Sequence, residues 1–288
     1  MARFGYFRLH HEPNVNRELP VRIAIRAAPP SGLVPLLIHW RVMSIVDPYL
    51  KTSRAKAHLE DLRERLEEFR KEPCEFIRKD DVENQLHIVR MRVRPIPDDI
   101  PLIAGDLIYC LRASLDQLVW CLAKIDATPG YPEGTQFPIL EQRDVPRFNR
   151  QTSGVPPEAA KVIESLQPYN TPNPADVKNH LLWRLNKLCN VDKHIRIPVH
   201  GVTGIVKWDT FIPLPLPPEF PPTQFGDDHV MKIPLALKGQ MALNPRIPEF
   251  KVLFGDLYWK IECDFAGIEA IYDFVSGSVM PRFARFFS

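Results

Sequence analysis

The chain of 288 residues sets 37 Lys+Arg against 35 Asp+Glu, a net charge of +2, so no global field draws it to nucleic acid or an anionic membrane. A chain this long buries enough apolar surface to fold without a disulfide or structural metal. The five cysteines (Cys74, Cys110, Cys121, Cys189, Cys263) form no CxxC pair and no Cys/His cluster at ligand spacing, and no apolar run approaches the roughly 18 residues of a membrane span. They read as small buried hydrophobes of a reducing cytosol, so the expected protein is cytoplasmic, with no membrane segment, no metal and no cofactor.

Residues 1–42 differ in character from the rest. Arg3, Arg8, Arg17, Arg22, Arg26 and Arg41 outnumber Glu12 and Glu18, and prolines interrupt every apolar run. Such a segment is expected to be disordered. Because the recognisable pattern starts just after Met43, it also reads as a mis-called extension preceding the biological start. Residues 43–288 are then expected to form a single α+β domain, with a helical core over 53–196, a β-rich part over 197–264 and a closing helix over 265–287.

From Ser53 to about Glu72 the spacing of Leu59, Leu62, Leu66 and Phe69 predicts an amphipathic helix capped by Ser53 and stopped by Pro73. CEFIRKDD and NQLHIVRMRVR flank a turn at 80–84 and predict a β-hairpin in which Val89, Met91 and Val93 alternate with Arg90, Arg92 and Arg94. Its arginine row suits phosphate contacts, yet solvated charged strand faces are far commoner.

Two apolar helices follow, each with polar residues set into it. Pro101 opens the first, GDLIYCLRASLDQLVWCLAK, where Ala104, Leu107, Ile108, Leu111, Leu115, Leu118 and Leu122 form one stripe and the far side is nearly as apolar. Arg112 and Asp116 are an i, i+4 pair whose ordinary role is a structural ion pair. Residues 126–176 are loop-rich, with turns at Pro129-Gly130 and Glu133-Gly134, a short apolar run at 137–140 and a modest helix from Pro157 to about Leu166. The second central helix is expected from Asp176, as N-cap, to about His194, with Leu181, Leu182, Leu185, Leu188 and Cys189 on one face and Asp192 and Arg196 continuing that row. Asn186, Asn190, Lys193 and His194 lie on a neighbouring polar face.

Beyond Ile197 the composition is that of strands: 205–212, 229–237 and 256–265, the last placing Leu257, Trp259, Ile261 and Cys263 on one face. An antiparallel sheet is expected to cover the helices. The proline-rich run at 213–222 favours polyproline II and reads as a rigid inter-strand loop or a partner motif. Ile268, Ile271, Val275, Val279 and Phe283 predict the closing helix. There is no internal repeat. The fold class is therefore α+β: a central helical bundle with a β-hairpin and a C-terminal antiparallel sheet.

Several enzyme classes are excluded by motif. The chain carries no G-x-S-x-G elbow, Walker loop, G-x-G-x-x-G after a strand or H-E-x-x-H. The carboxylate pairs Asp80-Asp81 and Asp98-Asp99 fall at turns and suit surface loops better than acid-base work. No DNA-specific signal is present.

GDLIYCLRASLDQLVW, followed by FPIL, ESLQPY and NVDKHIR, resembles a widespread family of uncharacterised bacterial proteins whose pattern is approximately GD, LRxxLDHLVW, FPI, LQPY and N-x-DKHR. The match spans about Ser53 to Arg196. More remotely, an Arg on a buried helix followed by a His in R-x4-H resembles the HEPN superfamily, helical domains that include RNA-cleaving toxins and anti-phage effectors. That resemblance implies an Arg holding phosphate, a His moving a proton at the 2′-hydroxyl, and a homodimer. Here Arg112 is present but the His position is Gln117, which exchanges no proton near neutral pH.

Two function classes therefore stand. In the first, a HEPN-like nucleotide- or RNA-binding protein or ribonuclease of a defence or toxin system, His194, Arg112 and Asp192 are the catalytic set and Asn190, Lys193, Arg196 and Asp116 the binding residues. In the second, a non-catalytic protein-interaction module, the same residues form a buried structural network and the sheet or proline loop carries the partner surface.

Overall fold

Two leucine-rich helices are pressed together along their apolar stripes, and the other elements are laid around them. The computed structural model describes residues 46–125, 134–203, 207–211, 224–226, 230–238, 242–246, 250–256, 258 and 260–287. The expectations for residues 1–42, for the Pro129-Gly130 turn and for the 213–222 run lie outside the described residues.

Helix α1 (Val46–Lys71) begins ahead of the expected Ser53 cap, because Pro48 fits a first helical turn and Thr52 Oγ donates to the Pro48 carbonyl at 3.0 Å. Leu59, Leu62 and Leu66 are buried as their spacing requires, and the helix ends before Pro73. Strands β1 (Cys74–Asp81) and β2 (Leu86–Val93) form the hairpin, with Cys74 opposite Val93 and Asp81 opposite Leu86. The Asp81 carboxylate closes the turn by accepting the Asn84 backbone N–H at 3.1 Å and its side-chain N–H at 2.8 Å.

Helix α2 (Asp99–Ala123) lies antiparallel to α1: Arg65 near the end of α1 pairs with Asp99 at 3.4 Å, and Lys51 near its start reaches the Tyr109 ring. All seven residues of the expected stripe are fully buried. Each such Leu or Ile contributes about 1.5–3 kcal/mol, so the stripe dominates the local energetics.

A short helix α3 (Val145–Gln151), unforeseen in sequence, is capped by Asp144, and α4 spans Pro157–Ser165. Helix α5 (Leu181–His194) starts later than expected. Asp176 sits in a separate 3-10 turn at 174–179, and the actual N-cap is His180, whose Nδ1 accepts the Leu182 N–H at 3.3 Å.

The C-terminal strands are β3 (Val199–Thr203), β4 (Lys207–Phe211), β5 (Gln224–Gly226), β6 (Val230–Pro234), β7 (Ala242–Arg246), β8 (Phe250–Asp256) and β9 (Ile261–Cys263), and every pairing is antiparallel. They divide rather than forming one layer: β6 and β5 extend the hairpin into the order β1-β2-β6-β5, while β3-β8-β9 and β4-β7 pair separately. The strand expected over 256–265 is interrupted. Lys260 has φ 55° and Tyr258 is 82% exposed, so the chain turns between β8 and β9. Gly255, at φ 96°, makes that turn possible, since a Cβ there would sit 2.0 Å from the Ile261 carbonyl oxygen.

Helix α6 (Phe265–Asp273), capped by Asp264 on the Gly267 N–H, continues through a π turn and a 3-10 turn to Phe286. Ile268, Ile271, Val275, Val279 and Phe283 are fully buried, as their periodicity requires. Among the described residues no helix is long and apolar enough to cross a membrane.

Burial holds the His180 imidazole below its ordinary pKa of 6.5, and its ring packs edge-on against Phe274 at 5.7 Å. The unfolded chain thus takes up the proton first, and the stability tied to this cap is complete above pH 6.5 and is lost as pH falls through the lowered folded value. His180→Asn keeps an N-cap acceptor that does not titrate. Thermal melts at about pH 8 and about pH 5 should show a smaller acid loss of Tm for this variant than for wild type; equal losses would contradict the assignment.

Candidate functional site

Helices α2 and α5 pack against each other, and some of the polar residues set into them lie along this seam. At one end of this seam Gly105 leaves room for Asp192: a Cβ at Gly105 would lie 2.5 Å from the Asp192 Oδ1. The Asp192 carboxylate accepts the Ile197 N–H. Burial first, and the neighbouring Asp106 second, raise its pKa above 3.8.

Farther along α2, Arg112 and Asp116 do more than pair. Their ion pair spans 3.0 Å, and both side chains reach the backbone of the same residue. Arg112 Nη2 donates to the Phe137 carbonyl at 2.9 Å, and the Phe137 N–H donates to Asp116 Oδ1, also at 2.9 Å. Two side chains one helical turn apart thus stand in for a β-ladder partner. Phe137 follows its backbone into the core and is 0% exposed.

The far end of the 137–140 segment is held in the same fashion. Gln167 is buried; its amide N–H donates to the Pro138 carbonyl at 2.8 Å and to the Ile163 carbonyl at 3.0 Å, and its oxygen accepts the Leu140 N–H at 3.1 Å. Just beyond, Trp183 Nε1 donates to Glu141 at 2.7 Å. Segments distant in sequence are therefore contacts of one another: Gly105 with Asp192, Arg112 and Asp116 with Phe137, and Gln167 with Pro138 and Leu140.

Electrostatics fit this arrangement. Burial raises the Asp116 pKa, opposed by Arg112, the Phe137 N–H and Lys193 in that order. Arg112 is 7% exposed, and its Nη1 is buried without a protein partner. Beside it on α5, burial pushes the Cys189 thiol up. Cys121 and Cys263 are likewise pushed to about 11 and about 12, values at which neither is a thiolate nucleophile near neutral pH. Among the described residues no group of three or more His, Cys, Asp or Glu could hold a metal ion.

The remaining sequence candidates lie on the open side of α5 or just past its end. Asn190, Lys193, His194 and Arg196 are exposed. Arg196 pairs with Asp98 at 2.7 Å. Among the described residues no hydrogen bond or ion pair joins His194 to Arg112, Asp116 or Asp192.

Sequence reading missed a second polar cluster. The buried His87 meets Asp80 at 2.6 Å, and the other Asp80 oxygen takes Lys238 at 2.6 Å, fastening the turn after β6 onto the hairpin. Asp80 and His87 are directly opposed across the hairpin, a signal readable from its register, whereas Lys238 left none. An open groove of about 650 Å³ is lined by Arg143, Lys161, Glu164, Ser165, Tyr169 and Asn170. Its cations are already paired, Arg143 with Glu164 at 3.2 Å and Lys161 with Glu158 at 2.7 Å.

Comparison of the chain with protein-family models, with curated proteins and with solved structures finds no match.

Two substitutions separate the roles along the seam. Arg112→Ala strands Asp116 and the Phe137 carbonyl and should cost about 2–4 kcal/mol, a figure reduced because the Asp116 carboxylate is partly open to solvent. Because the folded state favours protonated Asp192, stability from this group falls as pH rises above 3.8. Asp192→Asn keeps an acceptor for the Ile197 N–H and should raise Tm at neutral pH; a lower Tm would show that the charge itself is stabilising.

Proposed function

We propose that the chain is a non-catalytic protein-interaction module in which Arg112 and Asp116 clasp the Phe137 backbone, Asp192 packs against Gly105, and the strands carry the partner surface. One observation carries this reading. Arg112 Nη2 is engaged by the Phe137 carbonyl and the Asp116 carboxylate of its own chain, and the side chain is 7% exposed, which leaves a phosphate no open route to it. Catalysis by His194 would further require an orienting partner and a substrate-holding cation beside it. Asp192 instead accepts a backbone N–H, and Arg196 is paired with Asp98.

The HEPN-like reading, a nucleotide- or RNA-binding protein or ribonuclease of bacterial defence, draws its remaining support from Asn190, Lys193 and His194, which solvent and hence a ligand can reach. A cleavage assay on labelled RNA with wild type, Arg112→Ala and His194→Ala distinguishes the two. The module reading expects no cleavage above buffer from any of them, with Arg112→Ala losing Tm and His194→Ala melting like wild type. Cleavage by wild type that His194→Ala abolishes without a change in Tm would overturn it.

A further inference from the structure

The pairing of β6 beside β2 joins residues far apart in sequence on the solvent face of the β1-β2-β6-β5 sheet. Ile88 on β2 is opposed by Lys79 on one side and Lys232 on the other, and its neighbour in the same facing row, Arg90, is opposed by Ile77. Lys79, Arg90 and Lys232 are exposed, Ile77 is 43% exposed and Ile88 is half-buried. The result is three cations around an apolar strip.

What sets these cations apart is their place together on one sheet face, whereas several cations elsewhere are paired. On α1, Lys56 pairs with Glu60, Arg63 with Glu269, Arg65 with Asp61 and Lys71 with Glu68. On the sheet face Arg92 is answered by Glu75 at 3.5 Å, but Lys79, Arg90 and Lys232 make no ion pair among the described residues. Asp81, at the corner of this face, directs its carboxylate to Asn84; those hydrogen bonds, and after them the charges of Lys79 and Lys232, lower its pKa. Lysine on an edge strand discourages aggregation, which accounts for Lys79 on β1. Arg90 and Lys232 stand on the interior strands β2 and β6, where there is no edge to protect.

Residues two apart on a strand face lie about 6.7 Å from each other and adjacent strands about 4.8 Å, so the cations stand roughly 8–10 Å apart with Ile88 between Lys79 and Lys232. A ligand fitting this spacing has regularly spaced anions and apolar faces exposed alongside them. A nucleic-acid duplex hides its base faces, whereas a single strand presents both phosphates and bases. We propose that this face binds single-stranded nucleic acid, with Lys79, Arg90 and Lys232 on phosphates and Ile77 and Ile88 against the bases. The contacts read no base edge, so binding is independent of sequence and falls with salt. This goes beyond the module reading by giving the strands a nucleic-acid rather than a protein partner, and it rests on that reading only for binding without cleavage.

The test is fluorescence anisotropy with a labelled single-stranded RNA of about 16 nucleotides, titrated between about 50 and about 200 mM salt, with the RNA then run on a denaturing gel. The triple variant Lys79→Ala/Arg90→Ala/Lys232→Ala should bind at least about tenfold more weakly, and its salt slope should be shallower by about two, since each phosphate contact to a single strand contributes about 0.7. Lys56→Ala/Arg70→Ala/Lys161→Ala, which removes as much charge elsewhere, should bind like wild type. Arg90→Gln alone should lower the slope by about 0.7 and serves if the triple variant fails to fold.

No binding by wild type, equal binding by wild type and the sheet variants, equal or tighter binding of the duplex, or polyglutamate competing as well as polyuridylate would each overturn the proposal. Cleaved RNA on the gel would instead overturn the non-catalytic reading and leave the sheet assignment to be judged by the binding data.

Discussion

One residue's backbone, the N–H and carbonyl of Phe137, is where the architecture of this protein is tied together. An extended segment inside a helical core has no ladder partner, and burying its backbone unsatisfied would cost on the order of 1–3 kcal/mol per group. Asp116 and Arg112 supply the acceptor and donor from one turn of α2, and Gln167 repeats the solution on Pro138 and Leu140. The Phe137, Ile139 and Leu140 side chains can then be buried. A half-buried ion pair is weak evidence of stability in isolation, but this one also satisfies a backbone that has no other partner.

That constraint organises its surroundings. Arg112 and Asp116 project toward the 137–140 segment, and Cys189 of α5 is buried close to both charges. At the other end of the seam Gly105 allows Asp192 to lie against the α2 backbone and take the Ile197 N–H, fixing the exit of the chain from α5 toward β3. The helical centre thus fixes where the C-terminal strands begin. From there β6 returns to the hairpin, with Asp80 as the bridge between His87 and Lys238.

Much of this was legible in the residues. The α2 stripe, the hairpin with its alternating arginines and the closing helix follow from local periodicity, and burial matches each of them. Arg112 and Asp116 could be read as a pair because they are one turn apart, yet the pair gave no hint of Phe137, which is distant in sequence and sits in a segment without periodicity. Gly105 was the available clue to Asp192: a glycine inside an apolar helix costs about 0.5–1 kcal/mol relative to alanine, and close approach of another group accounts for it. The start of α5 is not legible because Asp176 is a favoured N-cap type and His180 is not, whereas Asn173-Pro174 turns the chain into a separate 3-10 segment before the helix begins. Lys232 was read as one residue of a strand; its place beside Ile88 depends on a pairing across more than half the described chain, which no local signal encodes.

Amide hydrogen exchange at Phe137 tests the central claim most directly. If Asp116 accepts this N–H within a packed core, the amide exchanges as slowly as those in the middle of α2, and Asp116→Ala accelerates it far more than it does the α2 amides. Exchange in wild type at the rate of an exposed loop amide would contradict the clasp, and with it the account of Arg112 and Asp116 as structural.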